Sequence, residues 1–589
     1  MTTRSGVDRV STAEEARLQK RIDVRLAEIR LQLEKCRRSH GTMCTRQGMT
    51  GSQGSDIVLI DVEAMRLVRT TTQVRYLALS YVWGGVQQFY ATKANISELM
   101  ENGALQGYLD KIPTTIRHSM KLACGLKIQF LWVDALCIIQ DDLSHKNGQI
   151  AQMAAIYSQS YLTIVAAEAT DATSHLSILK SYPRTPSRSQ YLGARSRCEQ
   201  LVSRLLNSTY GSRGWTFQER VLSPRILYDF ADHALLLCPS GLWLMDSVSR
   251  WQKVQGYSKS FRQLSPLAGS VNFLGSAPES QSFKLDLATL DTYALIATEY
   301  TTKQLTYESD IQLAFCGIAE RLSRCHQPPL SFLYGLPERY LDSVLLWHPA
   351  TLAKRRKIGG LPSWSWMAWI GPIGFSYHMY NTSSWTVLGP CPCPCIGPIE
   401  IWSQSEKRLM QRESWGTINP ILEPCKSAEW SSADLTWPQE GAGQVLRFRA
   451  WCMPFKETFT YKDAMIEAPE TLRRLRKKRL CPGLKLWSGK NHCVGWVMGI
   501  SSQMLNQYEV GIWRLEVVLV SQCDPLCMFS ERIAAGQMMY EACWNPGRCQ
   551  DIARPRAISD QEQEFETADL PQTFRDAIKL ARDPKINVL

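Results

Sequence analysis

The chain has no run of about eighteen uncharged apolar residues, so no membrane-spanning helix is expected. Its first residues, MTTRSGVDRVSTAEEARLQKR, lack the apolar core that a secretory signal needs. The 19 cysteines are therefore expected to remain mostly thiols in a reducing, cytoplasmic setting. No GxxxxGK[ST] phosphate loop, GxSxG elbow or HExxH zinc helix occurs. The nine histidines form no cluster, and no segment repeats at a fixed period. These gaps exclude the common sequence-legible nucleotide-switch, hydrolase, metalloprotease and solenoid readings. A Cys-His site assembled in space leaves no such signature. Cys137 with a distant histidine is the candidate of that kind, and it is not favoured.

What is present is an ordinary globular composition. The 589 residues are 44% hydrophobic and 21% charged, enough for three or four domains. A net charge of +12 is mild for this length, and no nucleic-acid partner is expected. The basic run Arg473–Arg479 reads as a solvated helix face, with a nuclear signal as the alternative. In CPCPC, Cys391–Cys395, alternating prolines hold the chain extended, so the thiols do not converge and a loop is expected.

Along the chain, Leu18, Ile22, Leu26, Ile29, Leu33 and Cys36 recur at three and four, predicting a helix over 12–36 with Thr12 and Glu15 as a capping box. It leads into Cys36-x3-His40-x3-Cys44. Three donors are one short of a structural zinc site, so a packed helix end is favoured and no metal is expected. From Asp56 the pattern changes. DIVLIDV, VRYLALSYV, IQFLWV and YLTIVAA read as strands. Helices are predicted after Ile112-Pro113, closing at Gly125, and through Ile150, Met153, Ala154 and Tyr157. Strands alternating with helices of this length indicate βαβ units and a parallel sheet. Residues 170–210 read as a long loop, followed by a short helix ended by Ser223-Pro224 and a strand RILYDF. Two helical patterns lie in 285–325, and Trp-rich strand-like segments fill 360–376 and 440–550.

Ligands of open α/β sheets sit beyond the C-terminal strand ends. LALSYVWGG delivers Ser80, Tyr81, Trp83 and the Gly84-Gly85 turn there, and the next strand delivers Asp134, Gln140 and Asp141. Glycines permit close approach, an aromatic offers a stacking face, and a carboxylate can accept from a hydroxyl. The competing reading is a tight strand exit with a packed tryptophan, and a helix cap or ion pair for Asp134. On the later helix, Trp215, Gln218, Glu219 and Leu222 share one face. Glu219 is thereby drawn inward, where a carboxylate is costly unless paired. Arg213, Arg220 and Arg225 are the candidate partners of a structural pair; a desolvated carboxylate at a cleft is the catalytic alternative.

The blocks YLALSYVWGG (76–85), FLWVDALCIIQDD (130–142) with QIAQMAAIYSQSYLTIVAA (149–167), and RGWTFQERVLSPRIL (213–227) resemble the three successive blocks of the fungal heterokaryon incompatibility (HET) domain. YTTKQLTYESDIQLAFCGIAERL, FLYGLPERYLDSVLLW and LPSWSWMAW resemble the extension that often follows it. Ile139, Ser160 and His145-Lys146-Asn147 depart from the family pattern. The resemblance implies an N-terminal helical leader (1–55), a HET domain (56–250), a helical extension (251–376) and a β-rich C-terminal region (377–589). It implies a role in non-self recognition, with growth arrest or programmed cell death, through self-association or an incompatible allelic partner. It further implies an α/β, flavodoxin/TIR-like parallel sheet with flanking helices. Some TIR domains cleave NAD with one glutamate, and the Trp215-to-Glu219 spacing places Glu219 at the matching position. That analogy is the alternative to a non-enzymatic self-associating module; no cofactor is required in either case, and NAD is the candidate substrate of the enzyme. Glu219 would then be the catalytic residue, with Ser80, Tyr81, Trp83, Gly84, Asp134, Gln140, Asp141, Arg213 and Trp215 around the ligand.

Overall fold

The structure, a computed structural model, describes residues 5–40, 54–180, 193–245 and 249–255, most of 282–375, and beyond these the backbone of strands between 399 and 588. The runs Cys391–Cys395 and Arg473–Arg479, and Cys44, lie outside the described residues. The chain divides into two compact units, residues 1–277 with 303–326, and residues 278–302 with 327–589. The stretch 251–376 is thus shared between the two. No helix among the described residues is long and apolar enough to cross a membrane.

The first unit opens on helix α1 (Ser5–Ser39), whose stripe of Ile22, Leu26, Ile29, Leu33 and Cys36 is buried. The helix starts earlier than its capping signal suggests, so Thr12 and Glu15 lie inside its span. Arg25 is buried with the stripe and donates from Nη1 to the carbonyls of Ile178 at 2.7 Å and Lys180 at 2.8 Å. That pairing offsets the cost of burying a guanidinium.

Next come β1 (Asp56–Asp61), β2 (Arg66–Thr71), β3 (Tyr76–Ser80), a single turn α2 (Ile96–Leu99), α3 (Thr114–Gly125), β4 (Phe130–Trp132), a short α4 (Asp134–Cys137), α5 (Leu143–Gln159) and β5 (Leu162–Ala166). Helices α6 (Ala194–Leu206) and α7 (Gly214–Leu222) precede a run of four strands: β6 (Ile226–Asp229), β7 (Ala234–Cys238), β8 (Gly241–Met245) and β9 (Trp251–Lys253). The predicted loop 170–210 therefore contains a helix; Cys198, Leu201, Val202 and Leu205 on it are buried in the core with Val165, Tyr228 and Leu244.

The nine strands form one sheet in the order β2-β1-β4-β3-β5-β6-β7-β8-β9. The four inner strands β4, β3, β5 and β6 are parallel, and β3 and β5 are buried at every residue. Burial on both faces explains why YLALS and LTIVA read as continuous rather than alternating apolar runs. Numbered among themselves in chain order, the parallel strands lie 2-1-3-4. The sheet is not wholly parallel, as the strand-helix alternation predicts. β1 pairs antiparallel with β2 and with β4, and β6 through β9 form an antiparallel meander. Its connections are tight: Phe230 N donates to His233 O at 2.9 Å across the first, and Cys238 pairs with Gly241 across the second. Links this short can join only antiparallel neighbours.

Helix α8 (Ser282–Tyr300) belongs to the second unit and α9 (Leu313–Arg324) to the first, where it lies against α5 and α7. A Cβ on Gly317 of α9 would stand 2.4 Å from Ala154 Cβ, so the absent side chain allows this close crossing. In the second unit, Trp364, Trp366, Tyr293 and Phe375 are buried together, and Trp366 Nε1 donates to the Tyr293 hydroxyl at 2.9 Å. Beyond residue 376 the described elements are strands, including an antiparallel seven-stranded sheet.

Candidate functional site

Strand β3 is central in the parallel set, and its last residue, Ser80, is fully buried. Helix α7 lies against it. The start of α7 is set by main-chain bonds to a later segment: Gly214 N donates to Gln304 O at 2.8 Å and Gln304 N to Ser212 O at 2.6 Å. Thr216 Oγ1 then bonds back to Tyr210 O at 2.6 Å and Arg213 O at 3.1 Å, closing the first turn. This places Glu219, which is 7% exposed, against β3.

Ser80 Oγ donates to Glu219 Oε2 in a short hydrogen bond. The Tyr210 hydroxyl lies 2.7 Å from the same Ser80 oxygen. A serine has one proton to give, so with Glu219 ionised Tyr210 donates to Ser80 and Ser80 to Glu219. The Tyr157 hydroxyl, which donates to Leu79 O at 3.0 Å, borders the same carboxylate. Burial pushes the Glu219 carboxyl up to about 7; the Ser80 bond and the Arg213 charge pull it down, and the Asp134 charge pushes it further up. Burial, reinforced by these carboxylates, raises the phenols of Tyr81, Tyr157 and Tyr210 far above their usual range, so all three stay protonated.

Asp134 opens α4 beyond the end of β4. It accepts from Trp83 Nε1 at 2.7 Å and from Ala135 N at 2.8 Å. Burial raises its carboxyl in spite of both bonds. The Tyr81 hydroxyl is buried beside Asp134, whose negative charge adds to burial in raising the phenol. Arg213 is the cation common to Glu219, Asp134 and Tyr81. Among the described residues its guanidinium makes neither an ion pair nor a hydrogen bond. Of the other two expected partners, Arg220 donates to Leu264 O at 3.2 Å and Arg225 to Tyr161 O at 3.0 Å. Glu219 is thus held by hydroxyls rather than by an arginine pair.

Ser80, Tyr81, Trp83, Asp134, Arg213 and Glu219 come together; four other candidates do not join them. Gly84, at φ +71°, is required by another backbone: a Cβ there would stand 2.3 Å from Asp171 Cβ. Gln140 Nε2 donates to Asp134 O at 2.9 Å and Ile138 O at 3.1 Å, bracing the loop from behind. Asp141 is exposed and accepts from Lys93 N at 2.8 Å. Trp215 turns away from Glu219, its Nε1 donating to Asp310 at 3.1 Å. Cys137 is sealed in the core, where burial pushes its thiol up to about 12, which removes it as a nucleophile. Tyr157 and Tyr210 are the members that sequence reasoning missed. Tyr157 reads as one more apolar position of a helix stripe, and Tyr210 falls in the presumed loop, three residues before the third block.

Residues 76–219 match the family described as Heterokaryon incompatibility protein (HET). The chain is 33% identical over 96 residues to heterokaryon incompatibility protein 6, OR allele, of Neurospora crassa. That match spans 15% of this chain and 14% of the relative's length. No solved structure matches the chain. The matched span begins in β3 and ends on Glu219, so its two ends meet in the Ser80–Glu219 bond. This chain therefore carries a heterokaryon incompatibility (HET) domain over residues 76–219.

Proposed function

We propose that this chain acts in heterokaryon incompatibility, its HET domain working as a self-associating module that promotes growth arrest or cell death after contact with an incompatible partner protein. The observation that carries the reading is the match over 76–219, with its ends closed by the buried Ser80–Glu219 bond. At 7% exposure, Glu219 and its hydroxyl partners make a polar tie between β3 and α7 rather than an open catalytic carboxylate. The parallel order 2-1-3-4 is that of the first four strands of a flavodoxin-like sheet, which supports a flavodoxin/TIR-like reading of the domain. The compartment that fits this role is the cytoplasm.

A second reading is favoured by the charge pattern. A carboxyl near 7 is poised for general acid-base work at neutral pH, and an unpaired guanidinium beside it suits an anionic substrate. Residue by residue, this is the NAD-cleaving alternative, with Glu219 stabilising an oxocarbenium-like state. One experiment separates the two. Purified protein is incubated with NAD under crowding, nicotinamide release is followed, and Glu219→Gln is compared in the same assay and in growth arrest on expression. The module reading expects no release and arrest retained in Glu219→Gln. Release that falls about 100-fold or more in Glu219→Gln, together with loss of arrest, overturns it in favour of the enzyme.

A further inference from the structure

Cys36 lies in the last turn of α1 and His40 directly follows the helix, four residues on, its N donating to Cys36 O at 3.2 Å. The sheet brings a third donor to the same place. Cys238 ends β7, 198 residues from His40, and its Sγ lies 3.5 Å from His40 Nδ1. The ligand atoms of Cys36, His40 and Cys238 all lie within 4.8 Å of one another.

We propose that Cys36, His40 and Cys238 form a zinc site that ties the end of α1 to the β7–β8 turn. Three observations carry this. First, the spacing fits. Usual Zn–S and Zn–N lengths at the tetrahedral angle put sulfur and nitrogen about 3.6 Å apart, close to the separation of Cys238 and His40. Second, the donors are two sulfurs and an imidazole, a soft set that selects zinc over magnesium or calcium. Third, the surroundings hold the donors in place. The His40 ring stacks on Trp243 with centroids 5.9 Å apart, and Arg225 Nε donates to Cys36 Sγ at 3.4 Å, a bond that favours the thiolate. Cys36 and Cys238 are 1% and 2% exposed while His40 is half-buried, so neither thiol is presented to solvent, which makes a cysteine-histidine nucleophile the poorer account. On binding, each thiol releases its proton to solvent, the two thiolates and the neutral Nδ1 donate to the cation, and one tetrahedral position is left for a further donor. Sequence spacing pointed to Cys44 as the third donor; Cys238 is invisible to any local pattern.

The test uses the full chain purified without added metal. Elemental analysis is expected to find near-stoichiometric zinc, lost in Cys36→Ser, His40→Gln and Cys238→Ser but kept in Cys198→Ser, a buried cysteine of a different cluster. Cobalt exchanged into the native chain is expected to give the intense visible bands of tetrahedral cobalt and a thiolate charge-transfer band in the near ultraviolet. The cobalt arm needs no variant, so it decides even where a variant fails to fold. Native protein that holds no zinc and gives no cobalt-thiolate bands overturns the proposal and leaves a buried thiol-imidazole contact, as does zinc that all three variants retain.

Discussion

Glu219 is a buried carboxyl raised from 4.5 to about 7, so the folded chain holds a proton that the unfolded chain releases at lower pH. The stability this contributes is present below pH 4.5 and is lost as pH rises through 7, a change of about 3 kcal/mol. Glu219→Gln keeps an acceptor for Ser80 and cannot ionise. Urea unfolding is expected to show the variant more stable than the native chain by up to about 3 kcal/mol at pH 8 and nearly equal to it at pH 4. An equal offset at both pH values would show that ionisation is not the cause. Burial also pushes Asp229 up to about 7, although it accepts from Ser177 N and Ile178 N, so the native chain loses further stability in the same window. The comparison with the variant isolates Glu219. Ser80→Ala removes the donor while leaving the carboxylate buried, an arrangement that costs about 1–3 kcal/mol. Tyr210→Phe, which leaves Ser80 and Glu219 bonded to each other, should cost less, and the two midpoints measured side by side check that order.

Two glycines control how elements meet. At Gly84 the positive φ and the contact with Asp171 act together, so Gly84→Ala is expected to cost more than the roughly 1 kcal/mol of a left-handed position alone. At Gly317 an added methyl meets Ala154, and overpacking of this kind costs about 1–3 kcal/mol. Loss of that order in the denaturation midpoint of Gly317→Ala, offset in the double variant with Ala154→Gly, would identify the α9–α5 crossing as the seat of the effect. Elements like these were legible where the signal is local. The runs YLALS and LTIVA, the Pro113 start of α3 and the Ser223-Pro224 stop of α7 all stand in the structure as their patterns indicate. Helix α6 was not, because its apolar positions are few and its flank is rich in serine and arginine. The antiparallel meander escaped for another reason: strand direction depends on link length and partner, neither of which a single run reveals. In the site, Glu219 was legible from helical spacing, whereas its partners Tyr157 and Tyr210 come from other segments and its lack of an arginine pair is a matter of side-chain direction.

At the scale of the whole chain, α1 is part of the first unit rather than an appendage. Arg25, Ile29 and Leu33 are buried, and Trp251 Nε1 donates to Glu28 O at 3.2 Å. Removing residues 1–40 would strip the bonds from Ile178 O and Lys180 O and expose the apolar surface under the stripe. Such a shortened chain is expected to lose its cooperative thermal transition; a sharp melt at the native temperature would contradict this. The Ser80–Glu219 bond has a consequence in time. Its partners are 139 residues apart. At synthesis rates of about 5–20 residues per second, Ser80 leaves the ribosome some 7–28 s before its acceptor exists. Over that interval a strand that is buried at every residue in the finished sheet has its hydroxyl without this acceptor. The bond that ties β3 to α7 therefore forms only after α7, at the end of the matched span, has been made.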